Sequence, residues 1–186
     1  MIIESLVTTL DSGGRANFAP MGVEWGETEI VVKPYRETTT FRNLVETGEA
    51  VVNLVDDVSY YVASALGSPV FPAGAAVEVR GLVLDAACSW REIRVRDANT
   101  AEPRARFACA VVHRGTRREF LGYNRARNAV LEATILATRT RFLAIDEIRA
   151  EYHKLQVIVD KTAGPVEREA MARLVAFVES EAARKP

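Results

Sequence analysis

The sequence predicts an α+β protein, in which a mostly antiparallel β-sheet, closed or nearly closed into a barrel, is followed by a helical C-terminal part. Residues 1–122 consist of short β-branched runs separated by glycine and proline turns. After residue 122, small and apolar side chains recur at helical spacing instead. We therefore predict a barrel domain over 1–122 and a helical subdomain over 123–186, which fits a chain of 186 residues.

The strands of the first half are predicted from β-branched content and from the turns that bound them. Pro34 ends the third strand, because proline lacks the N–H that a ladder bond requires. Proline and glycine also interrupt the strand over 16–25, which predicts an edge, a bulge or a side that faces something other than a strand. The predicted strands are 2–9, 16–25, 28–33, 50–55, 76–85, 89–96 and 105–113, with a shorter one at 119–121.

Helices are predicted where capping residues precede an apolar stripe. Threonines 38–40 can begin the first helix, and Gly48 suits its left-handed end. Asp56 or Asp57 can begin a second, short helix that ends at Leu66. Three further helices are predicted over 124–140, 145–159 and 166–183. Their apolar stripes are too narrow to be stable alone, so we expect this helical part to pack on the barrel domain.

Composition and charge exclude several classes of function. The 24 basic and 25 acidic residues leave a formal net charge of −1 with no long block of one sign, so nucleic acid is not an expected partner. The longest apolar run, residues 107–112, is far shorter than the roughly 20 residues of a membrane-spanning helix. Residues 1–6 do not resemble a secretory signal, and the two cysteines have no paired spacing. We therefore expect a cytoplasmic protein that does not act at a membrane.

Few residues suit acid–base, covalent or metal chemistry. His113 and His153 have no partner at metal-ligand spacing, so no metal is predicted. The serines form no nucleophile pattern, and neither Cys88 nor Cys109 has a base beside it in the sequence. The sequence therefore assigns no catalytic residue.

Residues 33–44 form the segment with the clearest binding chemistry. They end a strand and begin a helix with three hydroxyl groups and two arginines, Arg36 and Arg42. Backbone N–H groups and the helix dipole attract an anion at a helix N-terminus, and guanidinium groups add charge-assisted bonds. The segment therefore has the composition of a phosphate site. Ordinary threonine capping beside solvated arginines explains the same residues, and both interpretations stay open at this point.

Several short motifs occur in an order known from one group of proteins. They read N-F-A-P at 17–20, T-F-R-N-L at 40–44 and V-N-L-V at 52–55. This order resembles the FMN-binding split barrel of the flavin reductase and pyridoxamine-phosphate oxidase-like group. More narrowly, the sequence G-Y-N-R at 122–125, which leads into the helical segment at 132–139, resembles the DUF447 family. That resemblance extends over nearly the whole chain.

The resemblance implies a homodimer with FMN bound at or near the subunit interface. By motif position, the FMN phosphate would be held at the start of the first helix, and the second strand would lie along the isoalloxazine. Asn53 would either bond the flavin or orient the neighbouring strand. The cofactor-binding residues implied in this way are Asn17, Ala19, Pro20, Met21, Gly22, Arg36, Thr38, Thr40, Arg42 and Asn53.

The function implied by the resemblance is an FMN-dependent oxidoreductase, in which the flavin carries the hydride or electron chemistry. The resemblance also suggests a link to methanopterin-dependent one-carbon metabolism, with a small-molecule redox partner. Two alternatives stay open: a non-catalytic protein that carries FMN, and a binder of a different phosphorylated metabolite. Turnover with a reductant and the colour of the purified protein distinguish these three functions.

Overall fold

The computed structural model describes residues 1–184 and contains eight strands and five helices within that range. The strands are β1 (Ile2–Leu10), β2 (Ala16–Trp25), β3 (Glu29–Val32), β4 (Glu49–Leu54), β5 (Ala73–Ala75), β6 (Leu82–Leu84), β7 (Ser89–Asn99) and β8 (Arg106–Thr116). The helices are α1 (Thr39–Thr47), α2 (Ser59–Leu66), α3 (Arg125–Ala137), α4 (Ile145–Thr162) and α5 (Pro165–Arg184).

The chain divides into two compact units. The first comprises residues 1–55 and 68–120, and the second comprises residues 56–67 and those from 121 onward. The predicted boundary at residue 122 assigns 56–67 to the barrel domain. In the structure this segment, which contains α2, packs with the C-terminal helices instead, because Val58 and Val62 join their apolar core.

Six strands of the first unit form a closed antiparallel barrel in the order β1–β2–β3–β8–β7–β4, with β4 pairing back onto β1. This confirms the predicted fold class. Alternation along each strand directs one face into the barrel, where the side chains form an apolar core. The largest core side chains include Phe107, Ile30, Leu44, Ile93, Val7 and Val23.

Helix α1 follows its local sequence signals. The hydroxyl of Thr38 accepts the N–H of Phe41, and Gly48 ends the helix in the left-handed conformation at φ 68°. The Gly48 N–H donates to the carbonyl of Leu44 at 3.0 Å, which satisfies one of the terminal carbonyls. Both predicted ends of this helix are therefore confirmed.

The strand predicted over 76–85 is wrong in its first part. Only Leu82–Leu84 is extended, and it pairs with β5 in a separate two-stranded sheet. Residues 76–81 form a loop instead, because the N–H groups of three consecutive residues, 77 to 79, donate to the buried carboxylate of Glu92 on β7. A long-range polar contact thus replaces the strand ladder that the β-branched sequence favours.

The short strand predicted at 119–121 is also wrong, since these residues are irregular rather than extended in a strand. The β7–β8 ladder ends where Ser89 pairs with Thr116. Beyond that point, the N–H groups of Arg117 and Arg118 converge on the carbonyl of Cys88, and the Arg118 side chain donates to the carbonyl of Ala86. Phe120 is left more than half exposed.

The second unit is a helical bundle with its own apolar core. Small side chains of α3, among them Ala126 and Ala133, pack against larger ones such as Ile148 and Leu174. The Tyr152 hydroxyl donates to the carbonyl of Ala133 at 2.7 Å. No helix among residues 1–184 is both long enough and apolar enough to cross a membrane.

Polar caps complete this second unit. Asn124 begins α3 by accepting the N–H of Arg127 at 3.1 Å, and Arg127 also pairs with the carboxylate of Glu167 at 3.1 Å. Asp57 accepts the N–H and the hydroxyl of Ser59 at the start of α2. Asn124 and Asp57 therefore have the structural, capping role that the helix pattern favours.

The Glu92 contact yields a test of barrel stability. Burial raises the pKa of Glu92, but the N–H groups of residues 77–79 and the Trp90 indole outweigh this effect and hold the pKa below its usual value of 4.5. The carboxylate therefore stabilises the folded state above pH 4.5. This contribution is lost as the pH falls through the lowered folded-state pKa.

We expect Glu92→Gln to lower the free energy of unfolding by about 1–3 kcal/mol at neutral pH, because a charged acceptor of backbone bonds becomes a neutral amide. Urea unfolding at neutral and acidic pH measures the difference between wild type and variant, which should shrink in acid. Glu78→Gln is the matched control, since the Glu78 side chain is exposed on the same loop. Equal stability of Glu92→Gln and wild type would refute this role for the carboxylate.

Candidate functional site

The barrel has an open edge along β2. This strand pairs with β1 from Ala16 to Glu24, but with β3 only at Glu24 and Trp25. The part of β2 that carries the N-F-A-P motif therefore has a strand neighbour on one side only. The edge expected from the proline in this strand is thus present.

The phase of the β1–β2 ladder determines which backbone groups face this open edge. The Trp25 N–H donates to the carbonyl of Met1 at 2.8 Å, so odd-numbered residues of β2 exchange bonds with β1. The backbone groups of the even-numbered residues Phe18, Pro20 and Gly22 consequently point away from β1. They present three carbonyls and two N–H groups at the open edge, because proline has no N–H.

Helix α1 is attached beside this edge by two side-chain bonds. The Asn17 amide donates to the hydroxyl of Thr40 at 3.0 Å, and the Asn43 amide donates to the hydroxyl of Thr9 at 3.0 Å. Thr9 and Asn17 are themselves paired across β1 and β2. The start of α1 is therefore held next to the first residues of the open strand.

The N-terminus of α1 retains free hydrogen-bond donors. The N–H of Phe41 bonds the Thr38 hydroxyl, and the N–H of Arg42 bonds the Thr38 carbonyl, both at 3.3 Å. The N–H groups of Thr39 and Thr40 have no acceptor inside the helix, as is general for a first turn. Thr39 is exposed whereas Thr40 is almost fully buried, so the Thr39 N–H is the donor that an anion can reach at this end.

The charge at this helix end is unfavourable unless an anion binds. The first turn of α1 contains no acidic residue, although the helix dipole favours one there. Arg42 instead folds back and donates to the carbonyl of Glu37 at 2.9 Å and to the hydroxyl of Thr39 at 2.8 Å. A guanidinium group therefore lies beside the positive end of the dipole. A bound anion would offset both positive charges.

Arg36 is positioned by the tip of the β7–β8 hairpin. Its N–H donates to the carbonyl of Pro103 at 3.1 Å, and Arg104 bonds the carbonyl of Lys33 at 3.0 Å. The Arg104 guanidinium also lies over the Tyr35 ring, 5.7 Å from its centre. The backbone before α1 is therefore braced, while the Arg36 side chain remains exposed.

The structure assigns different positions to the predicted β2 residues. Asn17, Ala19 and Met21 direct their side chains to the same face as the core residue Val23, whereas Pro20 and Gly22 lie on the opposite face. A methyl group added at Gly22 would come within 2.6 Å of the Ile2 side chain. The tight contact at Gly22 is therefore with β1.

Asn53 has a structural role. It is fully buried, and its amide nitrogen lies within 3.2–3.4 Å of the Leu6 and Val51 carbonyls and the Thr8 hydroxyl. Its oxygen accepts the N–H of Leu84 at 2.9 Å. Asn53 thereby ties β4 to β1 and β6, which is the orienting role left open by the sequence.

Two further residues near this site were missed by sequence reasoning. Thr39 combines a free backbone N–H with a hydroxyl that already bonds Arg42, and Phe18 places its backbone groups on the open edge. The signal for Thr39 was its place in a run of three threonines. Phe18 has a core-like side chain, which contacts Phe71 with ring centres 5.4 Å apart. Only the hydrogen-bonding phase of the β1–β2 ladder shows that the backbone groups of Phe18 face the open edge.

The histidines and cysteines lie outside this site. His113 pairs with Glu92 in the β7–β8 ladder, and His153 is exposed on α4. Burial raises the pKa of the Cys109 thiol to about 12, so it stays protonated at neutral pH. Among residues 1–184 there is no group of three or more acidic, histidine or cysteine side chains that could hold a metal ion. The arrangement suits anion binding rather than acid–base chemistry.

A closed antiparallel barrel that opens along one strand, with a helix N-terminus beside the opening, defines the class of split β-barrels. Two family descriptions match the chain: the N-terminal domain of the protein of unknown function DUF447 over residues 3–118, and a second DUF447 region over 124–176. The chain therefore belongs to the DUF447 family.

Solved structures support the same fold. An FMN-bound DUF447 protein from Methanosarcina mazei is similar with a TM-score of 0.82 and 22% identity, covering 95% of this chain and 94% of that one. An FMN-binding protein from Thermus thermophilus, with bound p-hydroxybenzaldehyde, has a TM-score of 0.55 and 13% identity, covering 62% and 71%. The styrene monooxygenase flavin reductase of Pseudomonas putida S12 has a TM-score of 0.51 and 16% identity, covering 61% and 78%.

Proposed function

We propose that this protein binds FMN along the open edge of β2 and acts as a flavin-dependent oxidoreductase. The observation that carries this proposal is the N-terminus of α1, where Arg42 adds positive charge to a helix whose first turn contains no acid and leaves the Thr39 N–H free. The bond between Asn17 and Thr40 holds this anion site against the open strand. A ligand with a terminal phosphate and a flat polar ring fits both features.

The phosphate would be held at the start of α1 by the N–H of Thr39 and by the guanidinium groups of Arg36 and Arg42. The Thr38 hydroxyl caps α1, and the buried Thr40 hydroxyl accepts a hydrogen bond from the Asn17 amide. Thr38 and the Thr40 side chain therefore position the site rather than contact the phosphate.

The isoalloxazine would bind along the open edge, where the N–H of Gly22 and the carbonyls of Phe18 and Pro20 could hydrogen-bond its polar rim, since the ladder phase directs these groups away from β1. Ala19 and Met21 direct their side chains to the core face of β2, and Met21 packs against the barrel core. Asn53 has all its partners within the barrel and makes no cofactor contact.

FMN supplies hydride or one-electron chemistry, and the protein supplies binding, orientation and electrostatics. The chain needs no ionising group near neutral pH for this role. The styrene monooxygenase flavin reductase among the similar structures supports a redox function, whereas the FMN-binding protein is compatible with either redox chemistry or FMN carriage. We also propose a cytoplasmic location, with which the two buried free thiols are compatible.

FMN is expected to bind more tightly than riboflavin, and FAD much more weakly, because the α1 site suits a terminal phosphate. Arg36→Ala and Arg42→Ala should each weaken FMN by about 1.5–3 kcal/mol, the range for a hydrogen bond to a charged group, with riboflavin nearly unchanged. Fluorescence titration of the apoprotein measures all these affinities. Arg96→Ala on β7 is the matched control, since this arginine is exposed outside the site. Equal wild-type affinity for riboflavin and FMN would refute the phosphate site.

We further propose a symmetric homodimer, with the flavin near the subunit interface. Exposed apolar side chains at Val157, Val166 and Val175 on α4 and α5 support a self-complementary contact in the second unit. Light scattering of the flavin-loaded protein at micromolar concentration is expected to report twice the chain mass. A monomer that still holds flavin would contradict an interface site.

The redox proposal is tested by anaerobic reduction of the bound flavin. We expect bleaching of the flavin band by one of three donor classes: reduced nicotinamide, reduced deazaflavin or a reduced pterin. The pterin arm tests the proposed link to methanopterin-dependent metabolism. His113→Ala and His153→Ala should keep the wild-type rate, because neither histidine belongs to the site. Absence of bleaching with every donor would favour the carrier function instead.

A further inference from the structure

A second cationic feature lies inside the barrel, away from α1. Arg91 on β7 pairs with the core residue Val52 and therefore directs its side chain to the inner face. Its guanidinium lies over the Trp25 ring, 5.1 Å from its centre. Because β7 and β2 are not neighbours in the strand order, this contact crosses the barrel interior. Arg91 thus projects across one end of the barrel.

Arg91 has no ion-pair partner among the residues that the structure describes. Within that part of the chain, its guanidinium hydrogen-bonds the carbonyl of the preceding residue, Trp90, at 2.9 Å. Within residues 1–184 no carboxylate lies within ion-pair distance of it. Arg114 is its direct cross-strand partner, and like charges in this position are destabilising. Arg114 is itself paired with Glu27 at 3.0 Å, so Glu27 is already engaged by another arginine.

This arrangement disfavours the charged guanidinium. Burial, and then the charge of Arg114, lower the pKa of Arg91, and Glu27 opposes them only in part. Arg91 remains partly exposed to solvent. Residues that lower the stability of the fold without making a compensating contact are typical of binding sites.

We propose that Arg91, with Trp25 beside it and Arg114 opposite, forms a second ligand site that binds the carboxylate of a small organic molecule. Arginine presents a planar pair of donors that matches a carboxylate bidentately. Trp25, which is partly buried and lies under the Arg91 guanidinium, supplies aromatic surface for the body of such a ligand. A planar or aromatic carboxylate therefore fits better than a bare inorganic anion.

This site is separate from the phosphate site of α1. Trp25 lies eight residues along β2 from Asn17, which corresponds to roughly 27 Å in an extended strand. Substitutions at Arg91 should therefore leave the ratio of FMN to riboflavin affinity, which reports the phosphate site, unchanged, and Arg36→Ala should leave the carboxylate site intact. Failure of one site is thus distinguishable from failure of the other.

Calorimetric titration with benzoate as the probe tests the proposal, with benzamide as its neutral counterpart and inorganic phosphate as the other oxyanion. Wild type should bind benzoate saturably and benzamide much more weakly. Arg91→Gln should weaken benzoate roughly tenfold or more, and the matched control Arg96→Gln on the same strand should bind it as wild type does. Equal binding by Arg91→Gln, or no saturable binding by wild type, would overturn the site. Tighter binding of phosphate than of benzoate would overturn the carboxylate assignment.

A stability measurement separates this role from a merely structural one. Arg91→Met should raise the melting temperature of the ligand-free protein, because it removes an uncompensated charge from the inner face and keeps apolar contact with Trp25. Benzoate should raise the melting temperature of wild type but not of Arg91→Met. If Arg91→Met lowers the melting temperature of the ligand-free protein, the arginine stabilises the barrel and the proposal is wrong.

Discussion

The constraint on which the barrel unit depends is the short pairing of β2 with β3. Two residue pairs join these strands, whereas β1 pairs with β2 over nine. Every backbone polar group that loses a strand partner must find another one or remain in solvent. The barrel therefore opens along β2, and α1 is attached beside the opening through Asn17 and Thr40. The anion site and the open edge are consequences of this one interruption.

Polar groups within the barrel unit are of two kinds, which differ in whether the surrounding fold offsets their charge or their hydrogen-bonding needs. Glu92 and Asn53 are buried and have partners for their polar atoms, and they hold a loop and three strands in register. Arg42 and Arg91 are placed against an unfavourable field, at the positive end of a helix and opposite another arginine. The compensated groups build the scaffold. The two proposed ligand sites rest on the other kind, Arg42 and Arg91.

Local signals made much of this fold predictable. The ends of α1 follow from Thr38 and Gly48, and the strands and helices follow from periodicity. The predictions that were wrong concern segments whose structure depends on residues distant in the sequence. The loop at 76–81 is held by Glu92, more than ten positions away, and α2 belongs with helices that begin some sixty residues later. At the site, the motifs identified β2 and α1, but the exposed backbone of Phe18 requires the register of β1 against β2.

Pro20 has a consequence for assembly as well as for binding. An exposed strand edge can pair with the same edge of another molecule, which leads to uncontrolled association through shared sheets. In β2, the residue in the middle of the outward-facing backbone groups is a proline, so an incoming strand would lack a donor at that position. The open edge can therefore remain accessible to a small ligand while resisting the addition of a foreign strand. A single proline thus favours binding of a small molecule at this edge over pairing with another protein strand.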